Sequence, residues 1–531
     1  MFVHPLTAVI SCPATYCVWR QWRQPRHSCC KNQLSFFTTR NLFTSFIKLS
    51  VLHKSDFQRG LHLFSSLMEH THKEPPLKRR KSIEEKDSVK AKVTTKQEKE
   101  SREIGPAWLH NVTAIPPQSG KVQSNLEKTG IKTELRRQWE DLTDMCSCGP
   151  QADKRIGVQP FDFSVMCYNV LSQDLLLSNP YLYKHCNPLI LDWHYRFSNI
   201  IKEFEEHSAD IMCLQEVQED HYTKQIKPSL EYLGYHCEYK RRTGHKLDGC
   251  VVAFKHSRFK LLSTHPIEFY RRGIPLLDRD NVGLVVMLQP VKELGLGHIC
   301  VATTHLLYNP RRGDIKLAQL ALLLAEISRV SRLDDGTTCP VVLCGDFNSV
   351  PASPLYTFIK DNKLEYAGMP TGKVSGQEEN HRGHRFLTVP IWPSSLGISQ
   401  LCQFEGQSNE PHEEQSKLQS GASSNGFSKP TIEHRLKLAS VYSHFLKESG
   451  HPEITTCHSR TAMTVDYIFY SPAQKEKSDR TKCSVAQERG LQLLARLALV
   501  SEAELREVNG LPNRHYSSDH LPLIARFRLP S

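Results

Sequence analysis

Pro340-Val341-Val342-Leu343-Cys344-Gly345-Asp346-Phe347-Asn348 decides how this chain is read: an apolar run that ends in Gly-Asp-Phe-Asn. A short apolar run bounded by turn residues reads as a buried strand. Asp346 and Asn348, two residues apart at its end, point the same way. The carboxylate can accept a proton from a water; the amide can orient that water or donate to a phosphate oxygen. One such ending carries little weight, because strands often close in polar turns. Three companions share the design: Asn169 after Phe163–Tyr168, Glu216 after Ile211–Gln215, and Ser518-Asp519-His520 just before Leu521–Ala525. Acid, amide and imidazole groups at the ends of four apolar strands point to one metal-assisted site.

Outward from these runs, short β-branched stretches alternate with helical ones from Phe161 onward, which predicts an α/β sandwich. Trp193 to His207 has helical spacing and leads into the strand of Glu216. Tyr235–Tyr239, Cys250–Phe254, Asn281–Met287 and Ile299–Thr304 read as strands. Asp314 to Val330 reads as a strongly amphipathic helix carrying Leu317, Leu320, Leu324 and Ile327 on one face. Residues 374 to 430 are rich in Gln, Glu, Asn, Ser, Gly and His and read as a long, mobile insertion. Order returns at Val465–Tyr470, a helix is expected near Gly490 to Leu499, and Ser501 and Glu504 have capping-box spacing. Residues 1 to about 158 read as a basic and charged tail, leaving 159–531 as the folded domain.

The chain has 531 residues, with 68 Lys plus Arg against 56 Asp plus Glu, a balance of +12 that fits a polyanionic partner without demanding one. Its 17 cysteines are odd in number and often inside strand-like runs, the placement of buried reduced thiols rather than of a disulfide framework. Cys146-Ser147-Cys148 has no matching ligand pair, which argues against a structural zinc. No run is long and apolar enough to span a membrane. The first 55 residues lack Asp and Glu but carry Arg20, Arg23, Arg26 and Arg40, the composition of an organelle transit peptide or of a biased tail. Lys78-Arg79-Arg80-Lys81 reads as a nuclear-import patch or as a solvated cluster. The expected localisation is cytoplasm and nucleus, with the mitochondrion as the alternative.

Glu216 at a buried strand end is costly unless it is paired or metal-bound, and a hard cation such as Mg²⁺, with Mn²⁺ as substitute, takes a few carboxylates plus water and phosphate oxygens. Asn169 offers a donor and an acceptor and is expected beside that metal. Asp346 is expected to activate a water, and Asn348 to hold that water or a phosphate oxygen. Asp466, inside the apolar run Val465–Tyr470, needs a partner, and His520 is the economical one. His520 then faces the scissile phosphate, with Asp519 as metal ligand or proton donor. His305, ending Thr303-Thr304-His305, is either a core histidine or a second phosphate donor. Arg311, Arg312 and Lys316 follow it as an electropositive rim to a phosphate site, or alternatively as a solvated basic loop, and Asn309, Arg311 and Lys316 are the substrate-binding candidates.

Met166–Leu171, Leu214-Gln215-Glu216-Val217, Asp248-Gly249-Cys250, Asn281–Leu284, Thr304-His305-Leu306, Asp314-Ile315-Lys316-Leu317-Ala318-Gln319, Gly345–Ser349 and Ser518-Asp519-His520, in this order, resemble the exonuclease–endonuclease–phosphatase superfamily. Within it they are most similar to the carbon catabolite repressor and nocturnin group. Arg311-Arg312-Gly313-Asp314, Lys373–Glu378 and Asn509-Gly510-Leu511-Pro512 resemble the Angel branch of that group. The resemblance implies a four-layer α/β sandwich with two facing mixed β-sheets flanked by helices. It implies Asn169 and Glu216 on Mg²⁺, Asp346 and Asn348 on water and phosphate, and Asp466 behind His520. It further implies hydrolysis of a terminal 2′,3′-cyclic phosphate of RNA to a 2′,3′-diol. A 3′–5′ exoribonuclease that shortens poly(A) uses the same constellation and is the alternative; a non-catalytic adaptor in RNA metabolism is the other. The chain lacks the leucine-rich repeats of the deadenylases. RNA 3′ ends are the expected partner, with translation or decay factors beside them, and the expected state is a monomer.

Overall fold

The computed structural model describes residues 135–143, 160–291, 297–377, 385–406, 429–473 and 490–530. The acid-free N-terminus, the Lys78–Lys81 cluster and Cys146-Ser147-Cys148 lie outside them. Nine strands come first in the chain: β1 (Trp139–Asp141), β2 (Phe161–Asn169), β3 (Ile211–Gln218), β4 (Tyr235–Arg241), β5 (Asp248–Lys255), β6 (Phe259–Glu268), β7 (Val282–Pro290), β8 (Ile299–His305) and β9 (Val341–Asp346). Two short ribbons follow, β10 (Lys363–Glu365) with β11 (Thr431–Glu433), and β13 (Thr456–His458) with β14 (Thr461–Met463). The remaining strands are β12 (Ala439–Ser440), β15 (Asp466–Tyr470), β16 (Gln492–Leu497) and β17 (Leu523–Leu529). One sheet has seven strands in the order β1-β16-β17-β2-β3-β5-β4; the other has six, β12-β15-β9-β8-β7-β6. Both are mixed, with β2–β3 and β8–β9 as parallel pairs.

Side-chain alternation builds the layers. In β2, Phe163, Val165 and Cys167 belong to the core between the sheets, where they share a cluster with Val342 and Cys344 of β9 and Ile468 of β15. Met166 and Tyr168 point the other way and pack with Phe197, Ile200 and Phe204 of the helix Trp193–His207. Leu343 and Phe469 likewise leave the central layer and pack with the helix Gly313–Ser331. The result is helix, sheet, sheet, helix, the four-layer sandwich expected. The ten cysteines among the described residues are all buried and free, the state expected from the strand-like runs around Cys167, Cys213, Cys250, Cys300 and Cys344. No helix among the described residues is long and apolar enough to cross a membrane.

Four expectations need correction. Gly490–Leu499 is not helical: Gln492–Leu497 is strand β16, held between β1 and β17. Its Leu- and Ala-rich sequence favours helix, and two strand neighbours override that preference. The folded domain also begins earlier than residue 159, since Leu135 is buried and β1 completes the edge of the larger sheet. The segment 374–430 is not uniformly loose. Val374, Leu387, Ile391, Trp392, Leu396, Ile398 and Cys402 are core residues held by turns, while 378–384 and 407–428 lie outside the described residues. That packing in turn buries the helix Gly313–Ser331 on nearly all sides, so it is not the amphipathic surface helix its leucines suggested.

Candidate active site

The same alternation delivers the polar groups. Asn169 continues the inward set of β2, His305 that of β8, Asp346 that of β9, and Asp466 opens that of β15. Asp466 and Asp346 are direct cross-strand partners, as are His305 and Asp346. Glu216 falls on the wrong parity for this layer. A bulge between Leu214 and Val217 and a left-handed backbone at Glu216 (φ 57°) bring it to the site. Gly345 is required for a different reason: a Cβ there would sit 2.2 Å from the Thr304 carbonyl oxygen, so no other residue lets β9 approach β8 this closely.

Asp346 is the hub. Its Oδ2 lies 3.1 Å from Asn169 Nδ2, 3.5 Å from His305 Nε2 and 3.9 Å from His520 Nε2. Its Oδ1 accepts the Asn348 N–H at 2.9 Å, which fixes Asn348 in a left-handed turn (φ 46°). Asn169 Nδ2 also donates to Glu216 Oε1 (3.1 Å), and Glu216 Oε2 accepts from the Ser172 N–H (3.0 Å). His520 Nδ1 lies 2.7 Å from Asp466 Oδ2, the pairing expected from the sequence. Asp519 Oδ1 is 3.9 Å from His520 Nε2, and its Oδ2 accepts from the Tyr183 hydroxyl (2.9 Å).

Burial sets the protonation tendencies. It pushes the Asp346 carboxyl well above the usual carboxylate range; Asp466 adds to this, and His520 opposes it. Burial raises Glu216 as well, against the counter-pull of His305. The two imidazoles diverge. Burial lowers His305, with Glu216 only partly offsetting it. Burial acts on His520 in the same sense, but Asp466, Asp519 and Asp346 outweigh it and hold that ring charged. A neutral and a charged imidazole thus flank one proton-accepting carboxylate.

Some roles read from sequence change with the contacts. The Asn169 side-chain oxygen accepts the Leu171 N–H (3.0 Å), and its amide nitrogen bridges Glu216 and Asp346, which places this residue beside the expected metal ligand Glu216. Asn348 gives one amide N–H to Leu306 O (3.1 Å) and so braces the β8 loop. Lys316 is not a rim residue. It is fully buried, and its Nζ donates to the Asn348 main-chain oxygen and to Gln377 Oε1 (3.1 Å). A long side chain inside an apolar helix can reach inward, which burial of that helix's outer face enforces here. Asn309 and Arg311 are exposed, with Asn309 Oδ1 accepting the Arg311 N–H in a turn (3.0 Å).

The sequence reading missed three supports. Arg196, fully buried, donates to Ser517 O, Gln173 Oε1, Val170 O and Leu171 O, tying both flanks of the site to one helix. Thr455 Oγ1 donates to Asp466 Oδ2 at 2.6 Å, which orients the carboxylate behind His520. Gln319 accepts the Leu307 N–H and donates to Asn281, which in turn holds His305 O. Lys316 and Gln319, polar residues three apart inside an apolar helix, were the available signal for the last pair.

Three carboxylates (Glu216, Asp346, Asp519) crowd this pocket, and Asp519 Oδ1 is buried without a hydrogen-bond partner among the described residues. Ligand atoms of Asp346, Asp466 and His520 lie within 4.8 Å of one another, but Asp466 and His520 are committed to each other. Excess buried negative charge with an unpaired oxygen fits a hard divalent cation held by Glu216 and Asp519.

A sandwich with its polar groups at the strand ends, two imidazoles and a hub carboxylate defines a class, and sequence comparison agrees. The chain belongs to the Endonuclease/Exonuclease/phosphatase family, whose model matches residues 166–520. Members of this family depend on a divalent metal. The chain is 56% identical to protein angel homolog 2 of Danio rerio over 100% of its own length and 95% of that protein. It is 55% identical to the Homo sapiens angel homolog 2 over 74% of this chain and 76% of that one. A crystal structure of ANGEL2, described as a 2′,3′-cyclic phosphatase in complex with adenosine-2′,3′-vanadate, superposes with a TM-score of 0.63. It is 55% identical, covering 75% of this chain and 99% of that one.

Proposed function

We propose that this chain is a Mg²⁺-dependent phosphoric ester hydrolase that removes the 2′,3′-cyclic phosphate from RNA 3′ ends and leaves a 2′,3′-diol. The observation that carries the reading is the Asp346 carboxylate set between one neutral and one charged imidazole, in a chain 55% identical to a 2′,3′-cyclic phosphatase. Two hydrolytic steps are required. In the first, water adds to phosphorus, one ring P–O bond breaks and a phosphomonoester remains. In the second, another water adds to phosphorus, the remaining ribose O–P bond breaks, and inorganic phosphate leaves with both ribose hydroxyls free. In both, Asp346 takes the proton from the water, and His520, kept charged by Asp466, donates to the departing ribose oxygen. His305 donates to a non-bridging oxygen. Bound at Glu216 and Asp519, the cation supplies charge neutralisation on the phosphoryl oxygens. Arg196, Lys316 and Thr455 hold these groups in register.

The test uses two oligonucleotides, one ending in a 2′,3′-cyclic phosphate and one ending in a run of adenosines. Release of inorganic phosphate at constant oligonucleotide length supports the reading. A ladder of shortened products from the adenosine end replaces it with 3′ exonucleolysis.

A further inference from the structure

Directly before Glu216 stands a fully buried amide, Gln215. Ile211 and Cys213 of β3 face the layer between the sheets, and Gln215 continues that phase. An amide in such a layer is costly unless it is hydrogen-bonded. Both of its N–H groups are used: Nε2 donates to the Cys213 carbonyl (3.0 Å) and, across the gap between the sheets, to the Thr303 hydroxyl (2.9 Å). Its Oε1 accepts from the Cys167 thiol at 3.8 Å. Thr303 is also fully buried, one inward position below His305 on β8. A pair of apolar side chains of the same shape would fill this space without needing partners, so packing alone does not account for the amide.

What the bond fixes is a strand end. Gln215 and Glu216 lie inside the β3 bulge, between the paired residues Leu214 and Val217. A bulge disrupts the ladder on one side and has to be held from elsewhere. Gln215 holds it twice: its main-chain oxygen accepts the Val170 N–H (3.1 Å), and its side chain reaches β8. Glu216 thereby keeps the left-handed backbone that turns its carboxylate to the site. The same bond ties the bulge to the strand of His305. Glu216 Oε1 stands 3.8 Å from His305 Nδ1, beyond hydrogen-bonding distance. That nitrogen is buried without a hydrogen-bond partner among the described residues. A carboxylate and an imidazole so near would gain a hydrogen bond by closing the gap, so their strands must be held apart.

We propose that Gln215 is a positioning residue: its hydrogen bond to Thr303 acts as a spacer between β3 and β8 that keeps Glu216 off His305 and free to take the cation. The proposal rests on the reading of Glu216 as a cation ligand and names the group that holds it ready. Gln215 itself touches neither cation nor substrate. Partners that orient a metal ligand from behind are worth about 10-fold to 100-fold in metal affinity.

Mn²⁺ binding to the full-length protein is measured by isothermal titration calorimetry without RNA, and kcat and KM are measured on the cyclic-phosphate oligonucleotide over a range of Mn²⁺. Glu216→Gln should abolish the calorimetric site, which locates it. Gln215→Met and Thr303→Val should each weaken Mn²⁺ binding about 10-fold to 100-fold. Their kcat should fall at low Mn²⁺ and recover at high Mn²⁺, while KM for the oligonucleotide at saturating Mn²⁺ stays at the wild-type value. Thr303→Ser keeps the hydroxyl and should bind Mn²⁺ as the wild type does. The double variant Gln215→Met/Thr303→Val separates positioning from packing. It leaves neither partner unpaired, so its melting temperature should recover from that of Thr303→Val, yet its Mn²⁺ affinity should stay as low as in the single variants. Affinity that returns in the double variant together with the melting temperature, or that is unchanged in either single variant, overturns the proposal. Mn²⁺ binding that survives Glu216→Gln overturns it as well, because the cation then lies elsewhere. If Mn²⁺ binding follows the predicted pattern but the wild type releases no phosphate from the oligonucleotide, the spacer stands and the RNA-end reading fails.

Discussion

Strand β2 begins among aromatic rings and ends among carboxylates. At its start Phe161 and Phe163 meet Phe259 edge-on at 5.4 and 5.8 Å, and Phe163 meets Phe527 at 5.8 Å. At its end Asn169 bridges Glu216 and Asp346, with left-handed backbone at Leu171, Glu216 and Asn348 nearby. One end removes apolar surface from water and gains stability. The other buries charge, strains backbone and leaves polar atoms unpaired, which lowers stability and is tolerated because the rest of the layer holds it. The difference predicts that substitutions at the two ends act on different observables.

The sharpest separation comes from Asp346→Asn. Turnover should fall by about 1,000-fold or more because the proton acceptor is gone. The melting temperature should hold or rise, since a crowded buried carboxylate is removed. Phe163→Ala should do the reverse: it should cost about 3–5 kcal/mol in a denaturant titration, while turnover per folded molecule stays close to wild type. A catalytic collapse in Phe163→Ala without unfolding would erase the contrast between the ends.

Lys316→Met probes the boundary between them. Burial drives the Lys316 amine down to about 7, and its hold on the Asn348 carbonyl sets the turn that carries Asp346. The substitution should lower kcat about 10-fold to 100-fold through misplacement, with little change in the melting temperature.

The smallest effect lies on the outer face of β2, where Tyr168 donates to the buried Glu203 (2.9 Å). Burial pushes this carboxyl from 4.5 to about 8, with Tyr168 and Arg137 opposing and Glu206 adding. Between those values the folded protein keeps a proton that the unfolded chain has lost. Its contribution is therefore complete below pH about 4.5 and fades as pH rises toward 8. Glu203→Gln should flatten that slope in urea titrations at pH 5 and pH 8, leaving kcat unaffected.

The legible part of the site follows from strand parity. Asn169, Asp346 and Asp466 end or open apolar runs with the inward phase, so their convergence could be read without coordinates. Glu216 was legible as chemistry but not as orientation, because a bulge is a local break in the very period used to place side chains. Arg196 and Lys316 were illegible as supports: a cation is placed inward by what packs outside its helix, which depends on segments far away in the chain. The same long-range dependence turned the leucine-rich 492–497 stretch into a strand and folded 385–406 into the core. Site chemistry was local enough to read; burial of its scaffolding was not.

The account depends on separate strand ends acting as one unit, and a double-mutant cycle on turnover of the cyclic-phosphate oligonucleotide tests this directly. Asp346→Asn, His520→Gln and the double variant are compared with wild type. The account predicts that the double variant loses about as much as the worse single one, because either change disables the same transfer. Losses that multiply in full would mean that Asp346 and His520 work independently, and would contradict it.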